Sequence, residues 1–260
     1  MAIAPDCIRI AMWSGPRNIS TAMMRSWGSR ADTIVVDEPF YAYYLGATGR
    51  KHPGAEEVIA SGETDWRKVV SQLIGPIPNR AKTFFQKQMT HHLLPEVDRQ
   101  WLGAVTNFFL IRDPAEVITS YIKKNDDPAL EDLGFVQQAE IFDWVRQNVV
   151  GTPRCGVSGQ RSALSAPIVI DAKDVLQDPE RMLRLLCDAI GVEFDKAMLS
   201  WPPGLRGSDG IWAKHWYAEV ARSTSFQPYR PGNGPVPGRL REIHERCREC
   251  YDRLYEHRLR

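Results

Sequence analysis

The residues best suited to chemistry stand in the run Trp13-Ser14-Gly15-Pro16-Arg17-Asn18-Ile19-Ser20-Thr21. An apolar stretch, Ile8 to Met12, precedes it and reads as a short buried strand. Ala22-Met23-Met24-Arg25-Ser26-Trp27 follows and reads as the first turns of a helix. A strand, a turn containing Gly and Pro, two hydroxyl residues and a helix, in that order, make a cradle for an anion. Unpaired N–H groups at a helix start point outward, and the helix dipole adds partial positive charge there. Arg17 brings a full charge and a forked donor set that suits phosphate or sulfate. Ser20 and Thr21 can cap the helix and donate to the same anion. The Gly-rich loop ending in Lys-Ser or Lys-Thr is absent, so the magnesium-binding hydroxyl of a nucleoside triphosphatase has no clear counterpart. The plainer alternative is an ordinary strand-to-helix turn with a surface Arg.

These groups must be positioned by an alternation of strands and helices. Strands are expected at Thr33–Val36, Lys82–Lys87, Asn107–Ile111 and Pro167–Ile170. Helices are expected at Trp66–Leu73, Ala115–Lys123 after Pro114, Phe135–Val149, Pro179–Ile190 closed by Gly191, and near Arg239–Leu259. Tyr41–Pro53 reads as an aromatic loop, Thr90 as the cap of a short helix beginning at His91, and Ser223–Pro237 as a long loop. The alternation predicts an α/β three-layer sandwich, its mostly parallel sheet covered on both faces. Ligands of such sheets bind beyond the carboxyl ends of the strands. Here those ends are Trp13-Ser14, Asp37-Glu38, Lys87 and Arg112.

The 260 residues fit one domain spanning 1–260. A net charge of +1 supplies no global field toward nucleic acid, so any anion site is local. No apolar run reaches membrane-spanning length, and Met1–Asp6 lacks the basic and apolar regions of a leader. Five scattered cysteines, at 7, 155, 187, 247 and 250, argue against a disulfide framework. Cys247 and Cys250 form a lone close pair best read as thiol packing. A reduced, cytoplasmic protein is expected.

With the strand ends in view, the chain resembles the sulfotransferases that use 3′-phosphoadenosine 5′-phosphosulfate (PAPS), on a P-loop-like fold, and within them the bacterial branch. Gly15-Pro16-Arg17-Asn18-Ile19-Ser20-Thr21 is similar to their 5′-phosphosulfate loop, with Asn18 and Ile19 where Ser and Gly are usual. Phe109-Leu110-Ile111-Arg112-Asp113-Pro114 with Ser120 is similar to their 3′-phosphate segment, an Arg at a strand end and a Ser eight residues on. Asp171 to Pro179, with Leu183, Leu186 and Gly191, resembles their late strand-turn-helix. An ion pair of Arg112 with Asp113 or Asp171 is the structural alternative to its anion role.

The resemblance implies in-line transfer of a sulfuryl group from PAPS to an acceptor hydroxyl or amine, with release of 3′-phosphoadenosine 5′-phosphate (PAP) and no required metal. Arg17 would face the charge on the leaving oxygen, aided by Ser20, Thr21 and the backbone N–H groups from Asn18 through Ile19 to Thr21. Arg112 and Ser120 would hold the 3′-phosphate. Glu38 is the leading candidate base, with helix capping or an Arg pair as its alternatives; partial burial raises a carboxyl toward a useful range. Lys87 would contact the sulfuryl group, and His91 or His92 is the runner-up base. Lys214 and Ser225 would close a late loop over the nucleotide, with Trp216 or Phe226 stacking on adenine; aromatic packing of helices is the alternative. The acceptor, a small molecule, carbohydrate or lipid, is not legible. A silent PAP- or PAPS-binding module and a nucleotide kinase are the competing functions, the latter disfavoured by the missing P-loop Lys.

Overall fold

A computed structural model describes residues 7–77, 79, 81–149, 167–232 and 234–260. Met1–Asp6 and Cys155 lie outside the described residues. In chain order the strands are β1 Ile8–Ser14, β2 Thr33–Asp37, β3 Thr83–Met89, β4 Thr106–Ile111 and β5 Ile168–Asp171. The helices are α1 Ser20–Trp27, α2 Tyr41–Thr48, α3 Ala55–Ser61, α4 Trp66–Ile74, α5 Pro114–Tyr121, α6 Phe135–Asn148, α7 Ala172–Gln177, α8 Pro179–Ile190, α9 Ala213–Trp216, α10 Ala218–Arg222 and α11 Arg241–Tyr255. The five strands form one sheet in the order β2-β3-β1-β4-β5. Every pairing is parallel.

Both faces of the sheet are buried, which explains why the strands read as continuous apolar runs. On β1, Ala11 and Trp13 enter one core with Phe142 and Val145 of α6 and Cys247 and Leu254 of α11. Ile10 and Met12 enter the other, with Met23, Met24 and Trp27 of α1 and Leu183 and Leu186 of α8. The strict alternation along β1 is the period-two geometry of a strand shared between two helical layers. Cys247 and Cys250 are buried free thiols in the first core, packed as their spacing on one helical stripe predicts.

The connections after β1, β2 and β3 and the start of α5 converge at the carboxyl edge. Strand order reverses about β1, so the turn Gly15–Ile19 sits where ligands bind in doubly wound sheets. Register also matters there: Asp37 at the end of β2 stands opposite Lys87 of β3.

The segment after β2 is helical, not a loop. Tyr41, Tyr43, Tyr44 and Leu45 of α2 are all buried, so the helix has no polar face to give a periodic signal. It stops at Gly49, which takes a left-handed φ of 64°.

Candidate active site

The turn after β1 is held from several sides. Gly15 approaches the chain before α6 so closely that an added Cβ would lie 2.8 Å from the Leu133 carbonyl oxygen. Arg17 takes a left-handed φ of 55°, a conformation that costs a non-glycine residue on the order of 1–3 kcal/mol and persists only where its surroundings over-determine it. Asn18 supplies part of that constraint: its amide donates to the Leu110 carbonyl at 3.0 Å, and its side-chain oxygen accepts from the Ile19 N–H at 2.8 Å. Ile19 has a φ of −87°, which any residue adopts, and packs against the α1–α8 core. The branched residue therefore fits where relatives of the resembled family have Gly.

α1 begins without a side-chain cap. The expected capping by Ser20 or Thr21 does not occur, and among the described residues neither hydroxyl has a hydrogen-bond partner. The first helical bond is Met23 N–H to Ile19 carbonyl, 3.0 Å. The N–H groups of Ser20, Thr21 and Ala22 thus keep their orphan donors at the helix start.

Two guanidinium groups meet over this cradle. Arg112 donates from Nη1 to the Arg17 carbonyl at 2.8 Å and from Nε to Glu116 at 3.0 Å. Its acidic partner is thus Glu116, one helical turn on, and not Asp113 or Asp171. Asp113 instead caps α5, and Asp171 caps α7 and accepts from Tyr251. Ser120 accepts from Arg17 Nε at 3.0 Å. It supports Arg17, whereas the resemblance implies a place beside Arg112. Burial first, and the nearby Arg112 second, lower the Arg17 pKa. Such a cation, with no carboxylate bonded to it, is placed to receive an anion.

The opposite end is a buried charge network. Lys87 is 1% exposed and donates to Asp37 Oδ1 at 2.9 Å, to Tyr217 Oη at 2.8 Å and to Glu38. An ammonium has three donors, so all three are engaged within the protein. Lys87 has no donor left for a transferring sulfuryl group, contrary to the sequence expectation. Glu38 takes a φ of 41°, its N–H donating to the Lys87 carbonyl and its carbonyl accepting from Tyr41, each at 2.9 Å. Burial raises the Glu38 carboxyl above the usual range, against the pull of Lys87. Desolvation alone would lower Lys87, but Asp37 and Glu38 hold it well above its ordinary value.

Thr90 does not cap a helix at His91. Residues Thr90–His92 form a single tight turn, and the Thr90 hydroxyl donates to Gly134 carbonyl at 2.8 Å. The His92 ring lies between Tyr41 and Tyr44, centroids 4.7 Å from each. Its Nδ1 stands 3.9 Å from Glu38. Burial pushes His91 down to about 3 and His92 well below its ordinary value. Both are neutral at physiological pH, and His91 is too weak a base to match a proton transfer there.

One cavity of about 560 Å³ joins the two ends. Arg17, Asn18, Ile19, Ser20, Thr21, Arg112 and Ser120 line it, together with Glu38, Lys87, His91 and His92. Lys214 and Ser225 do not. Lys214 is half exposed and pairs with Glu57 at 2.5 Å, and Ser225 turns to the Phe226 carbonyl. Of the proposed stacking pair, Trp216 lines the cavity, whereas Phe226 packs against Trp201 in the core. Sequence reasoning missed Lys51, His52, Tyr121 and Lys124 as lining residues, and it missed the hydroxyl role of Tyr217. Only the strand-end place of Asp37 offered a signal, because register, not local sequence, sets it beside Lys87.

Fold and cavity define an α/β domain with an anion cradle at the carboxyl edge of a parallel sheet. A sulfotransferase-domain family model matches residues 8–164 and 158–247, and the chain belongs to that family. Two Arabidopsis thaliana proteins, branched-chain-amino-acid aminotransferase-like proteins 1 and 2, are 34% and 32% identical over 248 residues, 95% of this chain. The chain spans only 42% and 41% of their lengths. Among solved structures, a sulfotransferase domain from the curacin biosynthetic pathway aligns with a TM-score of 0.51 at 15% identity, covering 92% of this chain and 97% of that one. At that identity the likeness is one of fold. Among the described residues no helix is long and apolar enough to cross a membrane, and no cluster of three or more His, Cys, Asp or Glu could hold a metal ion.

Proposed function

We propose that the cavity binds PAPS at its Arg17–Arg112 end and transfers the sulfuryl group to an acceptor hydroxyl or amine at its Glu38 end. One observation carries this reading. Two adjacent guanidinium groups with unspent donors share a single cavity with a buried, raised carboxyl. PAPS supplies the electrophilic sulfur and the phosphate leaving group.

The protein contributes positioning and charge stabilisation, which do most to speed the transfer of such a group. The remaining Arg17 donors, the Ser20 and Thr21 hydroxyls and the free N–H groups of α1 face the phosphosulfate. They oppose the negative charge that grows on the leaving oxygen. Arg112 supplies the charge for the 3′-phosphate, and Glu116 and the Arg17 carbonyl fix its plane. Glu38 accepts the proton of the attacking group. Lys87 orients Glu38 and does not touch the transferring group.

The names of the Arabidopsis relatives point to amino-acid chemistry in those longer proteins. For this chain they make an acceptor amine a sensible member of the first screen. The test is calorimetry with PAP and with ATP, followed by single-turnover transfer from labelled PAPS against hydroxyl and amine acceptors. Tight PAP binding, ATP exclusion and label transfer are expected. Binding without transfer to any acceptor would leave a donor-binding module. A preference for ATP would remove the sulfotransferase reading.

A further inference from the structure

One ammonium, that of Lys87, is shared by two carboxylates, and only one of them faces the cavity. Glu38 lines it; Asp37 does not, and the Asp37 side chain is 1% exposed. Asp37 is nonetheless the more heavily bonded. It accepts from Lys87 at 2.9 Å, from Tyr217 Oη at 2.7 Å and from the Gly210 N–H at 3.2 Å. A carboxylate out of substrate reach yet saturated with donors calls for a reason.

We propose that Asp37 is a positioning residue for the proton-accepting role assigned above to Glu38, on which this inference rests: by sharing Lys87 it lets the ammonium fix Glu38 in place without neutralising it, and Tyr217 locks the shared geometry. The charge arithmetic supplies the reason. Lys87 paired with Glu38 alone makes a neutral unit, and a proton arriving on Glu38 would leave a bare buried cation. Such a pairing holds a carboxylate inert. With Asp37 present the fully ionised trio carries one net negative charge. Proton uptake by Glu38 then brings it to neutrality, the cheapest state for a desolvated site.

The other titratable groups facing Glu38 are Tyr217, His92 at 3.9 Å and Tyr41 in the first turn of α2. Burial pushes both tyrosines up and His92 down, so each stays neutral at physiological pH. Lys87 and Asp37 are left as its charged neighbours, and Asp37 raises the Glu38 carboxyl. Tyr217 comes from the junction of α9 and α10, and Gly210 from the chain before α9. The late segment thereby supplies two of the three donors on Asp37.

The experiment titrates Glu38 directly, by carbon-13 NMR of side-chain carboxyls in the full chain. Its resonance is the one absent from Glu38→Gln. Wild-type Glu38 is expected to titrate above the ordinary value of about 4.3. Asp37→Asn is expected to lower that midpoint by about one pH unit or more. Tyr217→Phe, which keeps both charges, is expected to move it less than half as far. A wild-type midpoint at or below the ordinary value overturns the proposal, and this holds even where Asp37→Asn gives no folded protein. So does an unchanged or raised midpoint in Asp37→Asn, or an equal drop in Tyr217→Phe. Turnover is not needed for the measurement. Expected shifts without any sulfuryl transfer would refute the functional reading alone, and transfer without the shifts would refute this inference alone.

Discussion

The two ends of the cavity use their polar groups in opposite ways. At the Arg17–Arg112 end, donors outnumber the acceptors the protein provides: most guanidinium N–H groups, two hydroxyls and the first N–H groups of α1 have no partner among the described residues. At the Glu38 end every ammonium donor of Lys87 is taken, and its partners are bonded among themselves. Unspent donors are what a pocket needs to grip an anion that arrives from water. A saturated network is what a reacting group needs to be held still, because reorganisation during the reaction is costly. Under the proposed function the difference separates a binding subsite from a chemical one, and within the second it gives Lys87 the part of holding Glu38 in place of contacting the sulfuryl group.

The comparison breaks most visibly at Glu38. Glu38→Gln should lower kcat by at least about a hundredfold, the usual contribution of a general base, while the PAP Kd stays within about threefold. Loss of PAP binding instead would mean that the ends are not separate. At the other end, Arg112→Ala should weaken PAP about tenfold to a hundredfold, as expected for charged hydrogen bonds worth roughly 1.5–3 kcal/mol. A nucleotide lacking the 3′-phosphate should be affected far less, and calorimetry with both ligands checks this. His91 sharpens the comparison through stability. Its folded pKa, about 3, lies below its ordinary 6.5. The unfolded chain therefore binds the extra proton as pH falls from about 6.5 toward about 3, and the native state loses up to about 1.4 kcal/mol per pH unit in that window. Urea unfolding of His91→Gln against wild type should show a shallower acid slope. The smallest effect belongs to Lys214→Ala, which removes an exposed ion pair with Glu57: the urea midpoint should stay that of wild type, with the PAP Kd unmoved.

Much of the frame is legible from residue order. Ile10–Met12 and Asn107–Ile111 are buried on both faces and the edge run Thr33–Val36 is half-buried on both, so their apolar runs mark the strands, and Gly191 with a φ of 82° marks a helix end as its type implies. The anion cradle is legible for the same reason, since strand, turn and helix start are contiguous in the chain. The rest depends on non-local geometry. α2 escapes notice because its tyrosines are buried all round. Asp37, Lys87 and Tyr217 come from three distant segments, and only strand pairing and the fold of the late segment bring them together. Likewise Lys214 and Ser225, attractive by type, are carried elsewhere by Glu57 and by the chain around Phe226.

The pairing of Asp37 with Lys87 in adjacent strands ties the buried charge network to assembly. A slip of one residue between β2 and β3 would turn Asp37 to the opposite side of the sheet and take from Lys87 one of its two carboxylate partners. Chains with the wrong alignment are thus penalised twice, in burial and in charge, so the buried charge network doubles as a proofreading signal for correct strand alignment.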